Sequence, residues 1–169
     1  MSAETNRRYR YVTVLIEQGK RYLIVQRCAP PALLGLWEFP GSKVEPGDTD
    51  EAALERTLHE RLGVDVKVGA LKARRTLSYV GYSVETTLYQ GTLKADQTPR
   101  PLTVADFRWV TAEELEQYPF VPADQAATDL LVGTQRDAQE GIQARLLRLA
   151  QALHLIPVPR SGNAELRGC

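Results

Sequence analysis

Ionisable side chains gather in the stretch between Glu38 and Arg61, and their spacing places several of them on one face of a helix. Thr57, Glu60 and Arg61 (the polar trio) stand at positions i, i+3 and i+4, so a helix directs these side chains to the same side. Mg²⁺ in proteins prefers several oxygen ligands, carboxylates among them, in near-octahedral geometry. The trio has one carboxylate, one hydroxyl and one guanidinium, and its formal charges cancel. The three side chains therefore converge, but they offer a metal ion only one anionic ligand.

A second set of side chains, Glu51, Glu55 and His59, recurs at every fourth residue of the same stretch. Metal binding by this set is one interpretation, since carboxylates and imidazole are both metal ligands. A solvent-exposed helical face is the favoured interpretation, because polar residues commonly cover the side of a helix that faces water.

The helix that carries the polar trio is marked at both ends. The acidic residues among positions 48–50 predict its N-terminal cap, and Gly63 predicts its end, because glycine readily adopts the left-handed conformation of a C-terminal cap. Leu54, Leu58 and Leu62 recur every four residues and predict a buried stripe. We expect the trio to point away from that stripe, into a cleft.

Strand patterns lie on both sides of this helix. Residues 9–16 and 21–27 are rich in β-branched and aromatic side chains and are separated by Gln18-Gly19-Lys20, which predicts a β-hairpin. Further strands are predicted near residues 64–68, over residues 74–91 and over residues 107–110. Strands alternating with helices in a chain of 169 residues predict one α/β domain.

Helical signals follow the last predicted strand. Thr111 and Glu114 have the spacing of a capping box and predict a helix over residues 112–117. A later segment predicts a second amphipathic helix from its apolar positions Ile142, Leu146, Leu149 and Leu153. Beyond Pro157 the chain is polar and rich in glycine and proline, which predicts a disordered tail.

Bulk properties give little indication of a nucleic-acid or membrane partner. The chain has 21 basic and 21 acidic residues, so no net field attracts an anionic polymer or surface. Arg7, Arg8 and Arg10 form a small basic cluster, interpreted as a solvated terminus. Cys28 and Cys169 lie far apart, which favours a reducing compartment over a disulfide framework. With no apolar run of membrane-spanning or signal-peptide length, the expectation is a soluble cytoplasmic protein.

The stretch from Leu36 to Val64 resembles the signature of the Nudix hydrolases, G-x5-E-x7-R-E-U-x-E-E-x-G-U, in which U is a bulky aliphatic residue. The preceding Trp37-Glu38-Phe39-Pro40-Gly41 is similar to the segment by which the family approaches this box. Residues that agree with the box pattern are Arg56, Leu58, Glu60, Gly63 and Val64. The resemblance extends over about residues 9–131, is closest to the MutT-type branch, and implies an α/β/α sandwich with a mixed β-sheet.

The same alignment shows departures at chemically important positions. Ser42 takes the place of the box glycine and Asp48 that of the first glutamate, while Thr57 and Arg61 replace two of the three core glutamates. The branch places a further carboxylate at the position of Thr103. A positive charge about 6 Å from a divalent ion costs about 5 kcal/mol at an effective dielectric constant near 20, although an arginine can turn towards water. Hydrolysis is therefore expected to be impaired or lost.

The resemblance also implies roles for individual residues. Arg27 ends the second strand, where the family places a substrate-contacting arginine, and Asp124 occupies a loop whose last polar residue reads the base in MutT-like enzymes. Arg27 as a solvated strand end and Asp124 as a helix N-cap are the structural alternatives. Trp37, Phe39 and Trp109 are interpreted as core residues. The implied sites are catalytic Glu60 and Arg56, substrate-binding Arg27, Glu38 and Asp124, and a weak or absent metal site at Glu60 and Asp48.

Three functional hypotheses follow. The leading one is a degenerate MutT-type domain that binds a nucleotide or related phosphorylated ligand with little or no hydrolysis and needs no cofactor. The second is an active nucleoside triphosphate pyrophosphohydrolase that uses Mg²⁺ or Mn²⁺. The third is an interaction module that binds a protein partner or a second copy through the C-terminal helix. The predicted layout is a flexible terminus over residues 1–8, a Nudix domain over 9–131, a helical extension over 132–156 and the tail over 157–169.

Overall fold

The computed structural model describes residues 7–124, 127–129 and 131–133. All of these except Gly133 belong to one compact unit that ends at Val132. Beyond residues 132 and 133, the predicted helical extension lies outside the described residues, as does the whole predicted tail. No helix within the described ranges is long and apolar enough to span a membrane.

The described residues form a mixed sheet that contains seven strands. Their bounds are β1 (Arg7–Gln18), β2 (Arg21–Gln26), β3 (Trp37–Glu38), β4 (Gly41–Lys43), β5 (Val66–Tyr79), β6 (Tyr82–Leu93) and β7 (Asp106–Val110). The main order is β3-β2-β1-β6-β5, while β4 pairs with β1 and β7 pairs with β2. Strands β1 and β6 run parallel, from Arg7 opposite Tyr82 to Ile16 opposite Gly91, and the other pairs are antiparallel.

The predicted hairpin is confirmed as β1 and β2, which reverse at Gly19 and Lys20 with φ of 57° and 62°. The long β pattern predicted over residues 74–91 is divided between two antiparallel strands, the end of β5 and most of β6. The chain reverses at Val80 and Gly81, where Gly81 has a φ of 80° that glycine adopts without steric cost. Alternating side chains continue on both sides of this turn, so a pattern of period two does not reveal it.

Alternation along the central strands gives the sheet an apolar surface on each face. Val12, Val14 and Ile16 of β1 point to one face and pack with Leu23 and Val25 of β2. The side chains between them point to the other face, where a second core contains Leu15, Ile24, Trp37, Phe39, Leu88, Val110, Leu115 and Phe120. Two cores on one sheet require covering elements on both faces, in agreement with the predicted sandwich.

The first face is covered by helix α1 (Asp50–Leu62). Leu54, Leu58 and Leu62 are completely buried, so the predicted stripe is confirmed. The N-cap is Thr49, whose Oγ1 accepts a hydrogen bond from the Ala52 N–H at 3.1 Å. The cap was expected among the acidic residues, but a hydroxyl oxygen serves equally well as an acceptor.

The end of α1 agrees with the sequence. Gly63 has a φ of 66° and donates its N–H to the carbonyl of His59 at 3.0 Å. This left-handed cap lets the chain leave the helix and enter β5 three residues later. The helix therefore ends at the glycine that the sequence predicted.

The second face is covered by shorter elements. The predicted capping box is present, because Thr111 N–H donates to Glu114 Oε2 at 2.8 Å and Glu114 N–H donates to Thr111 Oγ1 at 3.4 Å. The helix predicted over residues 112–117 is present as a 3₁₀ helix, Glu113–Gln117. The chain is helical again at residues 127–129 and 131–133.

Candidate functional site

A cleft of about 680 Å³ lies between the sheet and the polar side of α1. Strands β1, β3, β4 and β6, helix α1, the loop that follows β2 and the loop before residue 127 all contribute to its lining. The side chains in it that bear most on its chemistry are Arg27, Glu38, Thr57, Glu60, Arg61 and Asp124. The whole polar trio faces this cleft, as its spacing predicted.

Two arginines hold Glu38 from opposite sides. Arg27 Nη1 lies 2.6 Å from Glu38 Oε2, and Arg61 Nη2 lies 2.6 Å from Glu38 Oε1. Pairing of β2 with β3 brings Arg27 next to Glu38, and the last turn of α1 brings Arg61. The side chain of Glu38 is only 9% exposed, so this arrangement, the arginine clamp, excludes most water from the carboxylate. Each oxygen of Glu38 is already engaged by a charged donor.

Arg61 does not turn towards water. Its side chain is 21% exposed, and its Nη1 donates a second hydrogen bond to the carbonyl oxygen of Gly41 at 3.1 Å. Gly41 itself approaches β1 very closely, since a Cβ added there would lie 2.4 Å from the Val12 carbonyl oxygen. Any larger residue at position 41 would move β4, and with it one of the two groups that hold Arg61.

The other members of the polar trio differ in exposure. Thr57 is 5% exposed and lies in the wall of the cleft, whereas Glu60 is exposed. Glu60 is therefore the carboxylate of α1 that remains accessible in the cleft.

Asp48 lies outside the cleft lining. Its Oδ2 is 2.5 Å from Nη1 of Arg56, and this hydrogen bond raises the pKa of the guanidinium. The sequence suggested a pair between Arg56 and Glu60, which are one helical turn apart, but the observed hydrogen bond of Arg56 is with Asp48. The structure thus joins Arg56 to Asp48 by a hydrogen bond, while the charge of Glu60 acts on the same guanidinium and also raises its pKa.

Asp124 is a buried carboxylate on the opposite wall. It is 6% exposed, and its Oδ2 accepts a hydrogen bond from the Phe39 N–H at 2.8 Å. Burial is the main cause that raises the pKa of this carboxyl group to about 7, and the negative charge of Glu38 contributes to the increase. The side chain thus fixes the segment after Glu38, while the backbone carbonyl of Asp124 accepts the Thr128 N–H at 3.0 Å.

Comparison with known proteins identifies this architecture. The family model described as the NUDIX domain matches residues 11–130. The chain belongs to the Nudix family. It is 35% identical over 118 residues to the CTP pyrophosphohydrolase of Escherichia coli strain K12, an alignment that covers 67% of this chain and 83% of that protein. The MutT-type assignment made from the sequence is confirmed.

Solved Nudix structures agree with the fold. The solution structure of the E. coli ORF135 protein superimposes with a TM-score of 0.66 and 29% identity, covering 82% of this chain and 97% of that one. A MutT structure from a study of Aliivibrio salmonicida and Vibrio cholerae gives a TM-score of 0.56 and 26% identity, with 76% and 99% coverage. The predicted α/β sandwich with a mixed sheet is confirmed.

The Nudix box of this chain does not fit Mg²⁺. Within the described residues, no three His, Cys, Asp or Glu side chains are grouped so that they could hold a metal ion. The box positions that face the cleft present a hydroxyl, an exposed carboxylate and a guanidinium, of which only the carboxylate is an anionic oxygen ligand. Asp48, the other predicted metal ligand, is engaged by Arg56 outside this cleft. Family membership and donor chemistry are therefore in disagreement.

Two ion-pair networks of this Nudix domain were not anticipated from the sequence. Arg10, interpreted as part of a solvated terminus, is paired with Asp50, which also accepts a hydrogen bond from Tyr89 Oη at 2.8 Å. Alternation along β1 places Arg10 on the same face as Val12, which faces α1. This pattern could therefore have predicted that Arg10 points towards the helix. The sequence could also have indicated the arginine clamp. Arg61 stands in a glutamate position of the box, where its guanidinium favours a carboxylate partner, and Glu38 is close to the box in the chain.

Proposed function

We propose that this MutT-type Nudix protein binds a nucleotide or a related phosphorylated ligand in its cleft, with little or no hydrolysis. One observation carries the proposal: Arg61 occupies a box-glutamate position, lies inside the cleft and is fixed there by Glu38 and Gly41. A guanidinium in this position repels a divalent cation, and its two hydrogen bonds oppose the outward rotation that would relieve the repulsion.

The remaining carboxylates support weak hydrolysis. A general base must reach the water that it deprotonates and must have a lone pair available. Both oxygens of Glu38 accept hydrogen bonds from arginines, and one oxygen of Asp124 accepts the Phe39 N–H. Glu60 is accessible but stands alone on the helix as a carboxylate ligand of the cleft.

Features of the cleft support a ligand with an anionic part and a less polar part. Arg27, Lys43 and Arg61 supply positive charge, and guanidinium groups are well suited to phosphate oxygens. Val84 and Val121 add apolar surface to the same cleft. Asp124, with its pKa raised to about 7, can donate or accept a hydrogen bond near neutral pH. A nucleotide combines these requirements in one molecule.

Metal-dependent hydrolysis of a nucleoside triphosphate is the second candidate. The E. coli relative named CTP pyrophosphohydrolase favours it, because 35% identity over 118 residues includes most of the domain. For this candidate to hold, Mg²⁺ or Mn²⁺ would need Glu60 and ligands from the substrate itself. The interaction-module hypothesis depends on the C-terminal segment, which lies outside the described residues.

The test is a panel of nucleoside triphosphates, diphosphates and nucleotide sugars, measured for thermal stabilisation and for product release. Each compound is examined in EDTA, in Mg²⁺ and in Mn²⁺. We expect stabilisation by at least one compound, because a ligand that binds only the folded state raises the melting temperature. We also expect turnover far below the typical range of about 1–10³ s⁻¹.

Two outcomes would contradict the proposal. Turnover at ordinary enzyme rates with Mg²⁺ would support the active hydrolase. Neither stabilisation nor turnover across the panel would leave the interaction module as the remaining hypothesis.

A further inference from the structure

We infer that Arg61 acts as a built-in cation in the place of a metal ion, so that the cleft binds a phosphoryl group through Arg61 and Arg27 without any divalent cation. This inference rests on the proposed function and specifies how its ligand is held.

The clamp leaves donors available. A guanidinium has five N–H groups. Arg61 uses one N–H on Gly41 and one on Glu38, and Arg27 uses one on Ala29 and one on Glu38. Contacts among the described residues therefore occupy a minority of the N–H groups of each arginine. The remaining groups can donate to the oxygens of a bound phosphate.

The charges of the arginine clamp favour binding of an anion. One carboxylate, Glu38, is shared by two guanidinium groups, which leaves the clamp with a net positive charge. Lys43 also lines the cleft, and the opposing Asp124 has its pKa raised to about 7. Glu60 is the accessible negative charge on the helix side, and its exposure to water weakens its repulsion of an anion.

Both arginines are reachable and pre-positioned. Their side chains are 26% and 21% exposed, so each retains surface towards the cleft while its other side is buried against protein. Glu38 and Gly41 fix Arg61 before any ligand arrives, which reduces the entropy lost on binding. Charge-assisted hydrogen bonds from a fixed guanidinium to an anion are among the stronger polar contacts in proteins.

Inorganic pyrophosphate tests this inference without contributions from a base. Its affinity is measured by calorimetry for the full chain in EDTA and in Mg²⁺. We expect binding in EDTA, and we expect no tightening when Mg²⁺ is added. Arg61→Gln should weaken binding in EDTA by about tenfold or more, since it removes a charge-assisted contact. Arg61→Lys should retain part of the affinity, because it keeps the charge and loses the planar fork.

Arg21→Gln is the matched control. Arg21 also contacts one backbone carbonyl, that of Trp109, and one carboxylate, that of Glu114, both at 3.1 Å, but it does not line the cleft. Its loss should leave pyrophosphate affinity unchanged. Glu38→Gln is a second probe: it removes the shared negative charge, so binding should become tighter if the arginines hold the anion. Circular dichroism and melting temperature verify that each variant is folded.

Several results would overturn the inference. These are pyrophosphate binding that requires Mg²⁺, absence of pyrophosphate binding to the wild type, and unchanged affinity in a folded Arg61→Gln variant. Stabilisation by nucleotides alongside any of these results would leave the proposed function standing and remove only the metal-free phosphate site. Pyrophosphate binding in EDTA together with rapid Mg²⁺-dependent hydrolysis of a nucleotide would do the reverse.

Discussion

The two sides of helix α1 have changed to different extents relative to the Nudix pattern. On the side that faces the sheet, Leu54, Leu58 and Leu62 are completely buried, and the left-handed Gly63 ends the helix as the box requires. On the side that faces the cleft, the polar trio keeps only one of three glutamates. The first side determines how the helix packs, and the second determines what the cleft can bind.

This difference shows that fold and chemistry place separate demands on the same helix. Packing requires apolar volume at every fourth residue and suitable caps, and a change there costs stability directly. The cleft side requires a particular charge only if a metal ion must be held. A domain can therefore keep the Nudix fold while the charge of the three positions of its polar trio changes from strongly negative to neutral.

The largest effect should come from the core side. Leu58→Ala should lower the free energy of unfolding by about 2–5 kcal/mol, because it removes buried contacts and leaves a cavity. Glu55→Ala, one turn away on the exposed side, should change it by less than about 0.5 kcal/mol. Urea denaturation of both variants provides the measurement. Equal losses in the two would show that the two sides of α1 do not differ as described.

Local patterns predicted much of the fold. The first hairpin, the stripe of α1, its glycine cap and the capping box at Thr111 all depend on residues within a few positions of one another. The turn at Gly81 was missed because alternation continues through both flanking strands. The helix after Thr111 is a 3₁₀ helix, a type that the sequence did not specify, because a capping box indicates where a helix begins and not its hydrogen-bond spacing.

The sequence indicated some of the residues that line the candidate cleft, whereas Asp48 and Arg56 lie outside its lining and the contacts within it were not predicted. The sequence indicated Arg27, Glu38 and Asp124, and the structure places all three in one cleft. The contact between Glu38 and Arg61 joins β3 to α1, and the two residues are 23 positions apart in the chain. Such pairings come from the tertiary fold, so spacing in the chain does not reveal them.

The next largest effect concerns the cleft wall and depends on pH. The pKa of Asp124 is raised from an ordinary value of 3.8 to about 7. Between these values the unfolded chain ionises the group while the folded protein keeps it protonated, so stability falls as pH rises and the loss is complete above about pH 7. Asp124→Asn keeps an oxygen that can accept the Phe39 N–H and removes this ionisation.

Asp124→Asn should therefore be more stable than the wild type by about 2–4 kcal/mol at pH 8 and should match it near pH 4. Thermal unfolding across this range measures the difference. Asp96→Asn, at an exposed position, is the control and should show no comparable pH-dependent gain. A pH-independent difference for Asp124→Asn would mean that the buried carboxyl group does not titrate in this range.

The smallest effect tests whether residue identity alone separates the two sides of α1. The double substitution Thr57→Glu and Arg61→Glu restores three carboxylates to the cleft side. Without metal, repulsion among them and with Glu38 should lower stability by about 1–2 kcal/mol. With Mg²⁺ or Mn²⁺ the loss should reverse, because metal bound only to the folded state stabilises it.

The same exchange should reverse the metal dependence of the ligand. The double variant loses the guanidinium of Arg61, so it should bind pyrophosphate only when Mg²⁺ is present, whereas the wild type should bind it in EDTA. Thr57→Gln with Arg61→Gln is the matched control, since it has nearly the same side-chain size without charge and should respond to metal in neither assay. A folded double-glutamate variant with no metal-dependent shift would mean that the geometry of the cleft, beyond the identity of its residues, has departed from that of a metal site.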